Sequence, residues 1–116
     1  EPAEAQDRMT ALQERVELSG GIFDLPSLKL QFAELDNRSQ NPNLWDNRDE
    51  AGRILRERST CETTIKGFEE IEHSIVDLGV YLEMASEGDA DAQSEFEGGL
   101  ESVEARVENL HVRRML

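Results

Sequence analysis

Two Glu-x-x-His pairs, Glu70 with His73 and Glu108 with His111, are the patterns in this sequence whose residue types and spacing suit metal chemistry. In di-iron helical bundles, two such pairs and a glutamate from each of two other helices project inward and hold the metals. Inward projection is therefore the requirement. The heptad register opposes it. With Phe68 and Leu110 at core d positions, Glu70 falls at f, His73 and Glu108 at b and His111 at e, which face solvent or flank the seam. Solvated charged faces are expected, with no metal and no cofactor. Cys61 is the one thiol and falls at a d position with no basic cluster around it, so a buried structural cysteine is expected rather than a nucleophile. Gly20-Gly21 and Gly98-Gly99 follow no strand and lack the Lys and Ser/Thr of a phosphate loop. No residue reads as catalytic, and an enzyme is not expected.

A chain of 116 residues has room for one domain and at most one core. The balance of 12 basic against 26 acidic residues, a net charge of −14, excludes a general phosphate-backbone binder. Only 37% of the residues are hydrophobic, but they recur at helical spacing, so a thin elongated core is expected rather than disorder. A lone cysteine fits a reducing compartment, and a cytoplasmic location follows. No run approaches the roughly 18 apolar residues of a membrane span. The start at Glu1-Pro2-Ala3-Glu4, without Met or a basic region before an apolar one, suggests a trimmed or excised segment.

The apolar spacing predicts four helices and no strand. The first runs from about Ala5 to Leu18 on Ala5, Met9, Leu12 and Val16, and Ser19-Gly20-Gly21 is expected to end it and leave a hinge. Residues 1–20 are thus a loosely attached first helix that a second copy of an isolated fragment could dock against, giving a homodimer. Asp24 is the expected cap of the second helix, with Pro26 in its first turn and Leu25, Leu28, Phe32 and Leu35 as its apolar face. A polar loop over Asn37 to Asn43 follows. Leu44-Trp45-Asp46 opens the third helix, with Asp46 as N-cap and Asp49 completing a variant capping box. Trp45 reads as a staple buried under the start of that helix, with a partner-facing ring as the alternative.

The third helix extends to about Glu87 with Ile54, Cys61, Phe68, Ile75 and Leu82 at successive d positions, Ile65 at a, and Leu55, Ile71 and Leu78 beside the stripe. Arg58 and Glu72 at a positions weaken the seam. Asp89 or Asp91 caps the fourth helix, whose Phe96, Leu100, Val103, Val107 and Leu110 form a second seam; local fraying is expected at Gly98-Gly99. The short link makes the last two helices antiparallel. The fold class is all-α, an antiparallel helical bundle with a long coiled-coil-like hairpin and the second helix packed along it, residues 1–116 forming a single helical domain.

Charge is distributed unevenly. From Gly67 to Ala105 there are 12 acidic residues and no Lys or Arg, while Arg48 to Lys66 is nearly neutral with five basic and four acidic residues. A single-sign field of that size favours a basic protein surface as partner and repels nucleic acid. The candidate partner-docking residues are Glu95, Glu97 and Glu101, with Trp45. A solubilising surface is the competing reading.

Gly21-Ile22-Phe23-Asp24, Pro42-Asn43-Leu44-Trp45-Asp46, Ala51, Arg58-Ser59, Leu82-Glu83-Met84-Ala85-x-Glu87 and Leu110-x-x-Arg113-Arg114-Met115-Leu116 form a series with a known counterpart. Over roughly Leu12 to Leu116 the chain resembles the N-terminal helical domain of bacterial class I peptide chain release factors, on the release factor 2 branch. The Pro-x-Leu-Trp-Asp stretch is the most specific part. The Gly-Gly-Gln and Ser-Pro-Phe tripeptides with which that family hydrolyses peptidyl-tRNA and reads stop codons do not occur here. The resemblance therefore implies the first domain of a longer factor, non-catalytic, that docks on the stalk-base region of the ribosome and affects interplay with the class II release factor, a recycling GTPase. A stand-alone coiled-coil adaptor and an organellar release-factor relative without termination activity are the alternatives.

Overall fold

The computed structural model describes residues 2–115, with side chains for 3–20 and 24–110. Four α-helices, α1 (Pro2–Phe23), α2 (Leu25–Ser39), α3 (Arg48–Ser86) and α4 (Ala90–Met115), and one 3-10 turn, Leu44–Asp46, carry the chain, with no strand among the described residues. The all-α expectation holds. The structure divides into two compact units, Glu1–Ile22 with Glu69–Leu116, and Phe23–Phe68. Helix α3 contributes a stretch to each.

The first unit is a three-helix arrangement of α1, the later stretch of α3, and α4. Met9, Leu12 and Val16 of α1 are buried with Ile71 and Leu78 of α3 and Phe96, Leu100, Val103 and Val107 of α4, and Ile75, Tyr81, Leu82 and Leu110 pack against them. The fourth-helix seam is therefore as expected. The first helix differs from its expectation in two ways: its apolar row is buried rather than loosely held, and it continues through Gly20-Gly21 to Phe23. Low helix propensity at two glycines costs roughly 2 kcal/mol, less than the burial of three large side chains provides.

The actual break lies at Asp24, which adopts the left-handed conformation with φ 50°. Pro26 requires a break near this point. In a continued helix its ring would meet the carbonyl of Ile22, and it has no N–H to donate. Aspartate tolerates the left-handed region better than most residues. Its carboxylate then caps α2 as expected, accepting the Ser27 backbone N–H at 3.3 Å and the Ser27 hydroxyl at 2.8 Å.

The second unit pairs α2 with the early stretch of α3. Leu35, Ile54 and Cys61 are buried together, with Leu28, Phe32 and Leu44 packed against them. Within this unit α2 packs on the early stretch of α3. Arg58, expected to weaken the seam, strengthens this pairing: its Nε donates to Asp36 at 2.8 Å and its guanidinium lies over the Phe32 ring at 5.3 Å. The link between the helices also differs from its expectation. Helix α2 continues to Ser39, and Leu44–Asp46 forms a separate 3-10 turn. The cap of α3 is Asn47, not Asp46: Asn47 is extended (φ −124°, ψ 104°) and its side chain accepts the Glu50 N–H at 3.1 Å.

The turn from α3 to α4 is a Schellman closure. The Asp89 N–H reaches the Met84 carbonyl (3.2 Å), the Gly88 N–H reaches Ala85 (3.0 Å), and Gly88 takes φ 102°. Asp89 then caps α4 by accepting the Ala92 N–H at 3.0 Å. Pairing of Leu78 with Gly99 and of Glu70 with Arg106 makes the two helices antiparallel. Helix α4 stays regular across Gly98-Gly99, where fraying was expected. A Cβ at Gly99 would stand 2.8 Å from the Leu78 δ-methyl, whereas Gly98 has open space.

The two glycines should therefore respond oppositely to alanine. Gly98→Ala is expected to raise stability by about 0.5–1 kcal/mol through helix propensity. Gly99→Ala must displace a buried leucine at a cost of about 1–3 kcal/mol, and is expected to be the less stable variant in urea denaturation. A second expectation concerns Cys61, whose thiol pKa burial pushes up, with the Glu57 carboxylate adding. A group raised on folding stabilises the native state below its unfolded pKa, about 8.5, and loses that contribution as pH rises through the folded value. Native protein should therefore resist thiol reagents at neutral pH, and its stability should fall above about pH 9 in the parent but not in Cys61→Ala.

Candidate partner-docking surface

Helix α1 brings its own charges to the acidic hairpin. Arg8 donates to Glu104 at 2.7 Å and Arg15 to Glu108 at 2.8 Å, so α1 and α4 run parallel. The Arg8 guanidinium is held charged first by its hydrogen bond to Glu104, and the carboxylates of Glu101 and Glu4 add to this. A count confined to Gly67–Ala105 could not include these arginines, because they lie 96 and 93 residues from their partners in the chain. Glu70 is also paired, to Arg106 at 3.2 Å. The negative surface is correspondingly smaller than the sequence suggested.

Many of the acids outside these pairs gather at one end of the first unit, while Glu69, Glu72 and Asp77 lie further along α3. Because α1 parallels α4, its N-terminal turn lies beside the α3–α4 turn. Ala5, Leu82, Ala85 and Phe96 line one cavity of about 80 Å³ there, with Ser86, Gln93 and Glu97 in its wall. Glu4 joins Glu83, Glu87, Asp89, Asp91, Glu95 and Glu97 at this end. Glu95, Glu97 and Glu101 are all exposed, and among the described residues no cation lies within ion-pair distance of them. Gln93 makes a long contact of 3.5 Å to Glu97. These three candidate residues share one helix of one unit.

Trp45 belongs to the second unit and is a correction. The residue is 63% exposed, not buried as a staple. The 3-10 turn is the cause: it directs Leu44 into the core of that unit and Trp45, the next residue, outward. The structure therefore presents two surfaces, acidic residues in one unit and an exposed indole in the other. The metal-like pairs behave differently from an inward-facing site. Glu70 and Glu108 each bind an arginine, His73 is 80% exposed in its side chain and lies 3.8 Å from Asp77, and the His111 side chain is outside the described residues. Among the described residues no group of three or more potential ligands converges.

Helical hairpin, proline-bounded turn and acidic end belong to an all-α helical domain, and comparison with known proteins says which. The PCRF domain family matches residues 28–116, and the chain belongs to that family. Among curated proteins it is similar to peptide chain release factor 2 of Xanthomonas euvesicatoria, with 33% identity over 95% of this chain and 30% of that protein. It is also similar to that factor in Streptomyces avermitilis, at 28% over 97% of the chain and 31% of the relative. In Listeria innocua the identity is 25% over 100% of the chain and 32% of the relative. The chain thus spans about a third of the length of the relatives it matches. Their alignments take in α1, which lies outside the family match.

An exposed indole should be nearly silent in stability. Trp45→Ala is expected to cost less than about 1 kcal/mol in urea denaturation, and native Trp45 fluorescence should be quenched readily by a water-soluble quencher. A loss of about 3 kcal/mol or more would instead indicate a packed ring.

Proposed function

We propose that this chain is a non-catalytic docking domain of a translation termination factor, acting in the cytoplasm on the ribosome. The observation that carries the reading is the family match over residues 28–116, joined by relatives named peptide chain release factor 2 that align over nearly the whole chain. In this reading, chemistry on peptidyl-tRNA belongs to other parts of such a factor. This domain supplies binding, at the stalk-base region of the ribosome, and influences exchange with the class II release factor GTPase.

The acidic end supports a protein partner over RNA. Carboxylates at Glu95, Glu97 and Glu101 repel phosphate and attract lysine- and arginine-rich protein surfaces. Exposed charge acts chiefly on the rate of encounter, because screening over about 8 Å at physiological salt leaves little energy in any one exposed pair. A basic ribosomal protein is the surface this face fits.

Association of the fluorescently labelled chain with purified ribosomes, followed by stopped flow at two ionic strengths, tests the reading. Association is expected to slow several-fold as salt rises, with a smaller change in dissociation. Glu95→Lys, Glu97→Lys and Glu101→Lys combined should slow it further at low salt. If the triple variant binds at the parent rate, the acidic face only keeps the chain soluble. If neither form binds ribosomes, the docking reading itself fails.

A further inference from the structure

Helix α3 has a second apolar row that no core uses. Val76, Val80 and Met84 are 65%, 51% and 40% exposed, at spacings of four and four along the later stretch of the helix. At 100° per residue they fall within about 40° of one line, opposite Ile71, Leu78 and Leu82, which face α1 and α4. Scattered surface apolar residues need no explanation, but a continuous row about 12 Å long behind a packed face does. Over residues 69–84 its borders are acidic: Glu69, Asp77 and Glu83 lie within about 60° of the same line, all exposed, with His73 the sole other polar side chain in that sector. No Lys or Arg occurs between Gly67 and Ala105, and Arg8, Arg15 and Arg106 are engaged with Glu104, Glu108 and Glu70.

We propose that this outer face of α3, Val76, Val80 and Met84 bordered by Glu69, Asp77 and Glu83, is a docking face for a basic amphipathic helix of a partner protein. Charge complementarity selects the occupant. Apolar residues at i, i+4 and i+8 accept the apolar edge of an incoming helix, and the carboxylates on both flanks match lysines or arginines beside that edge. A second copy of this chain would set acid against acid, at a net charge of −14 per copy. Nucleic acid and anionic lipid are repelled for the same reason. The row spans about two helical turns, so the contact is a brief one of modest area. The proposal does not rest on the ribosome reading, because it concerns a face of α3 directed away from α4 and its Glu95, Glu97 and Glu101.

The test uses the whole chain, isotopically labelled for backbone amide NMR, and two helical peptides of about 15 residues, the length at which isolated helices begin to persist. One carries a leucine edge flanked by lysines, and the other keeps every lysine but has alanine for leucine. Shifts are expected at Glu69, His73, Val76, Asp77, Val80 and Glu83. Affinity for the leucine peptide should exceed that for the alanine peptide by about tenfold or more, and V76S/V80S, exposed changes checked for unaltered helicity, should remove the difference. E95K/E97K/E101K should weaken both peptides alike without moving the shifted residues. Equal binding of the two peptides, shifts centred on α4, an unaffected V76S/V80S chain, or dimerisation of the free chain through this row would each overturn the proposal. The peptide comparison remains decisive even if the valine variants unfold.

Discussion

The constraint on which this structure depends is that one helix, α3, must supply an apolar face to two different partners. In the second unit it meets a single helix, and the narrow row of Ile54 and Cys61 suffices against Leu35. In the first unit it meets α1 and α4 together, and the buried face widens to Ile71 and Leu78 with Ile75 and Leu82 alongside. A heptad row serves one neighbour, whereas two neighbours require adjacent rows. Ile71 and Leu78, which look like spare apolar positions beside the stripe, are therefore buried, while Leu55 in the second unit stays exposed. With 37% hydrophobic residues, the chain has few to spare.

Ion pairs set the pairing of these helices more than their stability. Arg8 to Glu104 and Arg15 to Glu108 advance together along α1 and α4, while Glu70 to Arg106 holds α3 against α4 in the opposite sense. In the second unit Arg38 reaches Glu50 at 3.1 Å and Arg58 reaches Asp36 at 2.8 Å. Each exposed pair is worth at most about 1 kcal/mol. Like charges in a slipped register would be unfavourable, and in a chain with 26 acids most slips create them. The Gly99 and Leu78 contact adds a steric lock, because the other residue types would hold the two backbones apart.

Helix existence and most of the core were legible because helical periodicity is a local property. Met9, Leu12, Phe96, Leu100, Val103 and Val107 all lie where their spacing put them, and Asp24 and Asp89 cap as their position before a helix implied. What escaped depended on distant residues. The Gly20-Gly21 pair looks like a stop, yet packing of Val16 and its neighbours carries the helix through, and the stop comes from Pro26 acting on Asp24. Gly98-Gly99 looks like a weak point, yet one of the two is an approach site that only the position of Leu78 reveals. The burial of Trp45 was misjudged because the cap of α3 is Asn47 and not Asp46, so Trp45 does not hold the staple position just before it, and Leu44 packs inward instead. For the acidic candidate residues, exposure of Glu95, Glu97 and Glu101 followed from register, while the arginines that trim the acidic field came from α1.

The helix dipoles separate the acids that folding explains from those it does not. Two helix N-termini, of α1 and α4, lie at the acidic end, and there Glu4 and Asp91 in the first turns and Asp89 at the cap are favourable. That benefit fades within one turn, so Glu95, Glu97 and Glu101 gain little from it. Glu83, in the last turn of α3, is placed against the dipole, and that turn holds no basic residue to offset it. These positions carry negative charge at a small cost to folding. Had solubility been the sole requirement, the same charge could sit on any of the exposed positions where it costs nothing. Its concentration beside the α3–α4 turn is therefore not accounted for by the helix dipoles, and it sets up a single-sign field at that end of the first unit.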